Sequence, residues 1–274
     1  PVSAYETKAA VAEVDPVKPA PEVFPETKND ILLEKARVQT VLWQKVGKTD
    51  EEKWVLAQAP LEMTATNVAP VGEGEKHPGQ RPFSIVIGSN HDAGSLGQMG
   101  MVIRSLLAKQ SPSLPAGVQI AITSKELDSA LASKKRQSIS AAAAVLASSA
   151  LSGREPDAVI LGMVDESGAF KLPTGFWDQL QALGKGTGQR LVLPTEAAAI
   201  LPSMLALEKP GFFMEYEVLL AADFKQLVEL AAKTPEGPLA NATKEFRLIR
   251  ERAGNQDVRQ YIANTFVKQR LGAV

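Results

Sequence analysis

Cysteine is absent from this 274-residue chain, and it holds only two histidines. Without thiols there is no disulfide and no thiolate metal site, while the compartment, exported or cytoplasmic, stays open. His77 and His91 both fall in predicted loops without a motif partner. No metal-ligand spacing occurs, so neither a metal nor any other cofactor is expected. No run of about 18 apolar residues is found, so no helical membrane span is expected. Neither sign of charge dominates: the formal net charge of −1 argues against broad binding to nucleic acid or anionic lipid. What is there is apolar content, 45% of the chain, enough for at least one buried core.

The first 29 residues read as a tail or linker. Pro16, Pro19, Pro21 and Pro25 interrupt Ala, Val, Glu and Lys, and no apolar period survives. Order is expected from about Ile31. Val38 to Val46 and Lys53 to Ala59 have strand character, with a hairpin connection at Gly47 to Glu52. Leu61 to Val68 alternates as a further strand, and Phe83 to Ile87 is a short apolar one. Ser95 onward opens a helix carrying Met99, Val102, Ile103, Leu106 and Leu107 on one face. Val118 to Thr123 alternates again. Ser138 to Ser152 is an alanine-rich helix, with Ser138 suited to its N-cap. Ala158 to Met163 reads as one strand buried on both faces. Phe176 to Leu183 is a short helix, Arg190 to Leu193 a strand, and Thr195 to Met204 a helix with Thr195 at its N-cap. Glu217 to Ala221 and Phe224 to Ala232 follow as strand and helix.

Thr234-Pro235-Glu236-Gly237-Pro238 is read as a linker. Beyond it, Phe246 and Ile249, then Val258, Ile262 and Phe266, predict a helical pair joined near Gly254-Asn255. The chain begins at Pro1, as expected of a processed or a trimmed product, and its last residues suggest a parent protein that continues into more helices. Two glycine-rich segments invite a phosphate-loop reading. Gly94-Ser95-Leu96-Gly97 lacks a Gly-Lys-Ser/Thr ending, and Gly184 to Gly188 suits a turn between helix and strand. Tight packing is the better reading of both.

The order of parts from about Val38 to Ala232 resembles the proteolytic domain of the Lon proteases. Val41-Leu42-Trp43 is similar to its first strand, and Gly94-Ser95-Leu96-Gly97 to its entry into the first helix. Ser138 through Ser149-Ala150-Leu151-Ser152-Gly153 is similar to the nucleophile-bearing helix. Val159-Ile160-Leu161-Gly162-Met163 and Leu172-Pro173-Thr174-Gly175 resemble the strand and turn before the catalytic lysine, and Val192-Leu193-Pro194 resembles the next strand. The resemblance implies an α/β (α+β) fold of the type shared with GHMP kinases, over residues 30–233. A C-terminal helical hairpin would occupy residues 239–274.

In that family a serine–lysine dyad cleaves peptides. It needs a serine at a helix start near oxyanion donors, and an amine whose pKa is lowered from about 10.4 toward neutrality. Ser138 takes the serine position by this resemblance. Its flanks differ: Lys135-Arg136-Gln137 and Ile139-Ser140 stand where the family has glycine and proline before the serine and Ala-Gly after it. The lysine position falls on Trp177 or Asp178, depending on one residue of gap. An indole is no base, and an exposed carboxylate is a poor one toward an alcohol. Leu161 and Met163 occupy the places of a supporting threonine and acid, so positions that orient the lysine have turned apolar. Lys134 and Lys135 lie near Ser138 in sequence, among other polar residues.

Two functions follow. One is a pseudo-peptidase without an ATPase domain, acting as a module that binds a peptide or protein partner or assembles as a homo-oligomer. The alternative is an ATP-independent serine peptidase using Ser138 or Ser140 with a non-standard base. A small-molecule kinase of the related fold is disfavoured by the lack of a phosphate loop.

Overall fold

The structure is a computed structural model that describes residues 31–47, 53–68, 81–88, 95–111, 113–128 and 137–253. Nine strands occur among them: β1 Lys35–Val46, β2 Lys53–Asn67, β3 Ser84–Ile87, β4 Val118–Thr123, β5 Val159–Ile160, β6 Met163–Val164, β7 Phe170–Lys171, β8 Gln189–Pro194 and β9 Tyr216–Ala221. The helices are α1 Ser95–Gln110, α2 Ser140–Ser152, α3 Phe176–Gln181, α4 Leu201–Leu207, α5 Phe212–Glu215, α6 Phe224–Ala231 and α7 Gly237–Ala253. Seven strands form one sheet in the order β3-β4-β2-β1-β5-β8-β9, and β6 and β7 form a separate hairpin. Pairing is antiparallel at β1–β2 and β2–β4. It is parallel at β3–β4, β1–β5, β5–β8 and β8–β9. The chain is thus mixed α/β with a mostly parallel sheet.

Alternate residues along the strands sort into two cores. Val38 and Leu42, Ile160 and Val192 face the cluster built with α1, α2 and α6. Val41, Val159, Leu191 and Leu193 face the other way, onto α3, α4 and α5. This period of two is what a strand covered on both faces must show. On β2 the alternation has one dry side: Leu61, Met63 and Ala65 are buried while Glu62, Thr64 and Thr66 are exposed. There the antiparallel part of the sheet meets solvent.

The first core is centred on α2. Every residue from Ser140 to Ala150 is buried, so this helix has no wet face and no amphipathic pattern to read. Its five alanines between Ala141 and Ala147 keep the cylinder thin enough for strands and helices to close on it. Gly153 ends it in the left-handed conformation at φ 70°, donating its N–H to Ser149 O. Glycine takes that conformation without a Cβ penalty.

Four expectations change. Lys53–Asn67 is one strand, not two, and runs through Pro60. β4 pairs with β2 only from Glu62 onward, so on that side proline interrupts no ladder. The apolar run Ala158 to Met163 is broken after Leu161. Gly162 takes φ 152° against the ring of Phe170, and the chain leaves the sheet to form the β6–β7 hairpin. Ser138 lies in a 3-10 turn, Gln137–Ile139, and Ile139 holds the N-cap position of α2 without a side-chain cap. Thr195 begins a 3-10 helix, Thr195–Ala199, whose cap position is Pro194. Serine and threonine favour caps, but here tertiary packing fixes where each helix starts. The tail 1–29, the glycine-rich entry before Ser95 and the second C-terminal helix lie outside the described residues. Gly184 to Gly188 does connect α3 to β8. A Cβ on Gly186 would sit 2.4 Å from Glu215 O, so close packing accounts for that glycine.

A Cβ at Gly162 would fall 2.2 Å from the Phe170 ring. Gly162→Ala is expected to lower stability by about 1–3 kcal/mol, the usual range for overpacking. Gly211→Ala, where an added Cβ meets nothing within 4 Å, is expected to stay within about 0.5 kcal/mol of the parent. Urea unfolding of the two variants checks the contrast.

Candidate functional site

The start of α2, next to Ser138, meets the β6–β7 hairpin and the first turns of α1. A cavity of about 230 Å³ lies between them. Gln98, Met99 and Val102 of α1 form one wall, and Met163 to Glu166 form the other. Ser140 lies at its floor. The lining is thus mostly apolar, with two carboxylates following β6.

Ser140 is the hydroxyl that this arrangement places in the cavity. Its Oγ accepts from Val164 N–H at 2.9 Å and donates to Val164 O at 3.3 Å. One side chain therefore satisfies both polar groups of a strand residue, much as a neighbouring strand would. The hydroxyl proton is directed at a carbonyl, which cannot act as a base toward it. Ser138, two residues earlier, is half-buried in the 3-10 turn.

The candidate lysine replacements lie elsewhere. Trp177 is half-buried and packs on the second core, the cluster of Phe176, Leu180 and Leu183. Asp178 is exposed in the first turn of α3. α2 belongs to the first core, so the sheet separates its packing from that of Trp177. Of the positions turned apolar, Leu161 is fully buried in the second core, whereas Met163 reaches the cavity wall. Lys134, Lys135, His77 and His91 lie outside the described residues.

Two lysines are bonded to residues of the cavity wall: Lys109 of α1, whose Nζ donates to Glu166 O at 2.5 Å, and Lys171, on β7, which pairs with Asp165. The second belongs to the hairpin. Its Nζ donates to Asp165 Oδ2 at 2.6 Å. The hydrogen bond and charge of Asp165 raise the lysine pKa above its ordinary value, with Glu196 adding to the effect. A general base needs the opposite shift, so this ammonium is held in its charged form. Asp165 in turn is held well below the usual carboxylate range, first by Lys171 and then by the Ser167 hydroxyl. Its Oδ1 also accepts from the N–H groups of Ser167 and Ala169. The sequence analysis missed this pair. The signal was present in Asp165-Glu166-Ser167-Gly168, whose Asp and Gly suit a tight turn closed by a side chain.

Further bonds fix the hairpin. Phe170 N–H donates to Ala222 O at 3.1 Å, and Leu172 N–H to Glu196 Oε2 at 3.1 Å. Among the described residues, no group of three or more His, Cys, Asp or Glu could hold a metal ion. No helix among them is long and apolar enough to cross a membrane.

Ser140→Ala would leave the buried N–H and C=O of Val164 without this partner, at an expected cost of about 1–3 kcal/mol in urea unfolding. Asp165→Ala tests the turn through pH. Asp165 has a folded pKa below its unfolded value of about 3.9, so its stabilisation is complete above that pH and lost as pH falls toward the folded value. The stability gap between the parent and Asp165→Ala should therefore be widest near neutrality and shrink steadily below pH ~4.

No protein-family model matches this chain, and no curated protein matches it.

Proposed function

We propose that this chain is a domain of the Lon protease type that does not hydrolyse peptides and serves as a protein- or peptide-binding or assembly module. The observation that carries the reading is the double bond of Ser140 to Val164. The hydroxyl at the start of the buried helix acts as a backbone fastener, not as a nucleophile beside a base. The electrostatics agree: Lys171, the amine of the hairpin, is stabilised as a cation by Asp165. A serine–lysine peptidase needs a free hydroxyl and a neutral amine in one place.

The resemblance in order of parts supports the family assignment. A helix resembling the nucleophile helix, a buried strand and the Leu172-Pro173-Thr174-Gly175 turn follow one another in the chain. The mixed α/β sheet is compatible with it. Fold alone does not fix activity, so the reading against catalysis rests on the chemistry of the site. The cavity beside Met99, Val102 and Met163 offers apolar side-chain contacts, with Glu166 exposed at its lip, the lining a peptide or protein segment would meet.

The test is hydrolysis of casein and short peptides by the purified chain, together with fluorophosphonate labelling of Ser138 and Ser140. Neither turnover nor labelling is expected. Turnover abolished by Ser138→Ala or Ser140→Ala, in a variant that stays folded, would overturn the proposal in favour of an ATP-independent serine peptidase.

A further inference from the structure

Helix α7, the last among the described residues, is attached differently from the buried helix α2. Thr243 and Ile249 are its fully buried residues, while Leu239, Ala242 and Phe246 on the same stripe are half-buried. Ala240 and Leu248 are half-buried as well, and polar bonds add to these contacts. Arg250 Nε donates to Met214 O at 3.0 Å, and Thr243 Oγ1 accepts from Arg190 Nη2 at 3.2 Å. Two cavities border it. One, of about 200 Å³, lies between Phe246 and Arg247 and the start of β8. The other, of about 450 Å³, runs along Ala240, Lys244 and Leu248 beside the connection from α6. By contrast, α2 is buried along eleven consecutive residues.

Arg190 joins α7 to the sheet. It is buried, and its Nε donates to Glu217 Oε2 at 3.2 Å across the β8–β9 register. Its Nη1 donates to Leu230 O and Ala232 O at the end of α6. Only the bond to Thr243 reaches α7. If α7 leaves, the guanidinium keeps Glu217 and both carbonyls, so Arg190 loses one bond and no charge partner. Glu217 Oε1, buried with the helix in place, has no hydrogen-bond donor among the described residues. Opening would hydrate it, which lowers the cost of release.

We infer that α7 is a strap that undocks as a unit, latched by Arg190 and Arg250, while the seven-stranded sheet and α2 stay folded. A helix of this length is marginal in water without packing, so undocking exposes its amides. Lys233 is anchored by its N–H to Glu155 O and by its Nζ to Glu155 Oε2, so the connection that follows it, Thr234 to Glu236 with Pro235, is the hinge. Release uncovers the Arg190–Glu217 pair and the starts of β8 and β9. This inference does not depend on whether the chain cleaves peptides.

Hydrogen exchange of the full chain, read by mass spectrometry, tests it. Peptides from residues 237–253 are compared with peptides from residues 140–152 and 189–194. The α7 amides should exchange at least about tenfold faster than those of α2 and β8, through an opening insensitive to low urea. Thr243→Val and Arg250→Ala should each speed α7 exchange by a further ~tenfold, the loss expected for one hydrogen bond to a charged group, and leave α2 and β8 unchanged. Exchange of α7 in step with α2 would overturn the strap. Faster α7 exchange that neither variant alters would overturn the latch, as would variants that speed all three regions equally.

Discussion

The burial of α2 on all sides is the constraint that the rest of the domain answers to. A helix at the centre of a sheet-based domain can be approached closely only where its side chains are small, and Ala141 to Ala144 meet that need. The tight approach brings β1, β2 and β6 within reach of its first turns. It also buries Val164, whose N–H and C=O both need partners. Ser140 supplies both bonds from the helix. A buried polar pair left unmade would cost more than a made one gains, so this hydroxyl is tied to the backbone for structural reasons.

That tie has a chemical consequence. Peptide hydrolysis by a serine–lysine pair needs a hydroxyl poised to lose its proton and an amine poised to take it. Here the hydroxyl serves Val164, and the lysine of the hairpin serves Asp165. Each is stabilised in the state least useful for nucleophilic attack. Both arrangements arise from the same two-strand hairpin, β6 and β7, which Gly162 turns out of the main sheet. Ser140 and Lys171 are each engaged with that hairpin, one through Val164 and the other through Asp165.

The periphery of the molecule follows another rule. Around α7, attachment is by one buried aliphatic side chain, Ile249, a stripe of half-buried apolar ones and a few polar bonds. Packing at this edge is loose where the centre is dense. Local stability follows the number of buried apolar contacts, so the two regions have reason to open on different scales.

Much of the secondary structure was legible in the residues. Val118 to Thr123 alternates because β4 has one dry face, and Met99, Ile103, Leu106 and Leu107 mark the buried side of α1. Local pattern determined these elements, since each records which side meets water. The pattern failed where burial is complete or where the chain turns: Ala158 to Met163 is uniformly apolar, and nothing in it but Gly162 tells a strand from a strand followed by a turn. The absence of thiols, the scarcity of histidine and the aromatic or acidic residues at Trp177 and Asp178 were likewise properties of the sequence alone. Which serine faces the cavity, which lysine finds which carboxylate, and that Trp177 packs beneath the opposite face of the sheet were decided only by the tertiary structure. Those facts depend on distances between segments far apart in the chain, and a one-dimensional pattern records the burial of each segment without recording its neighbour.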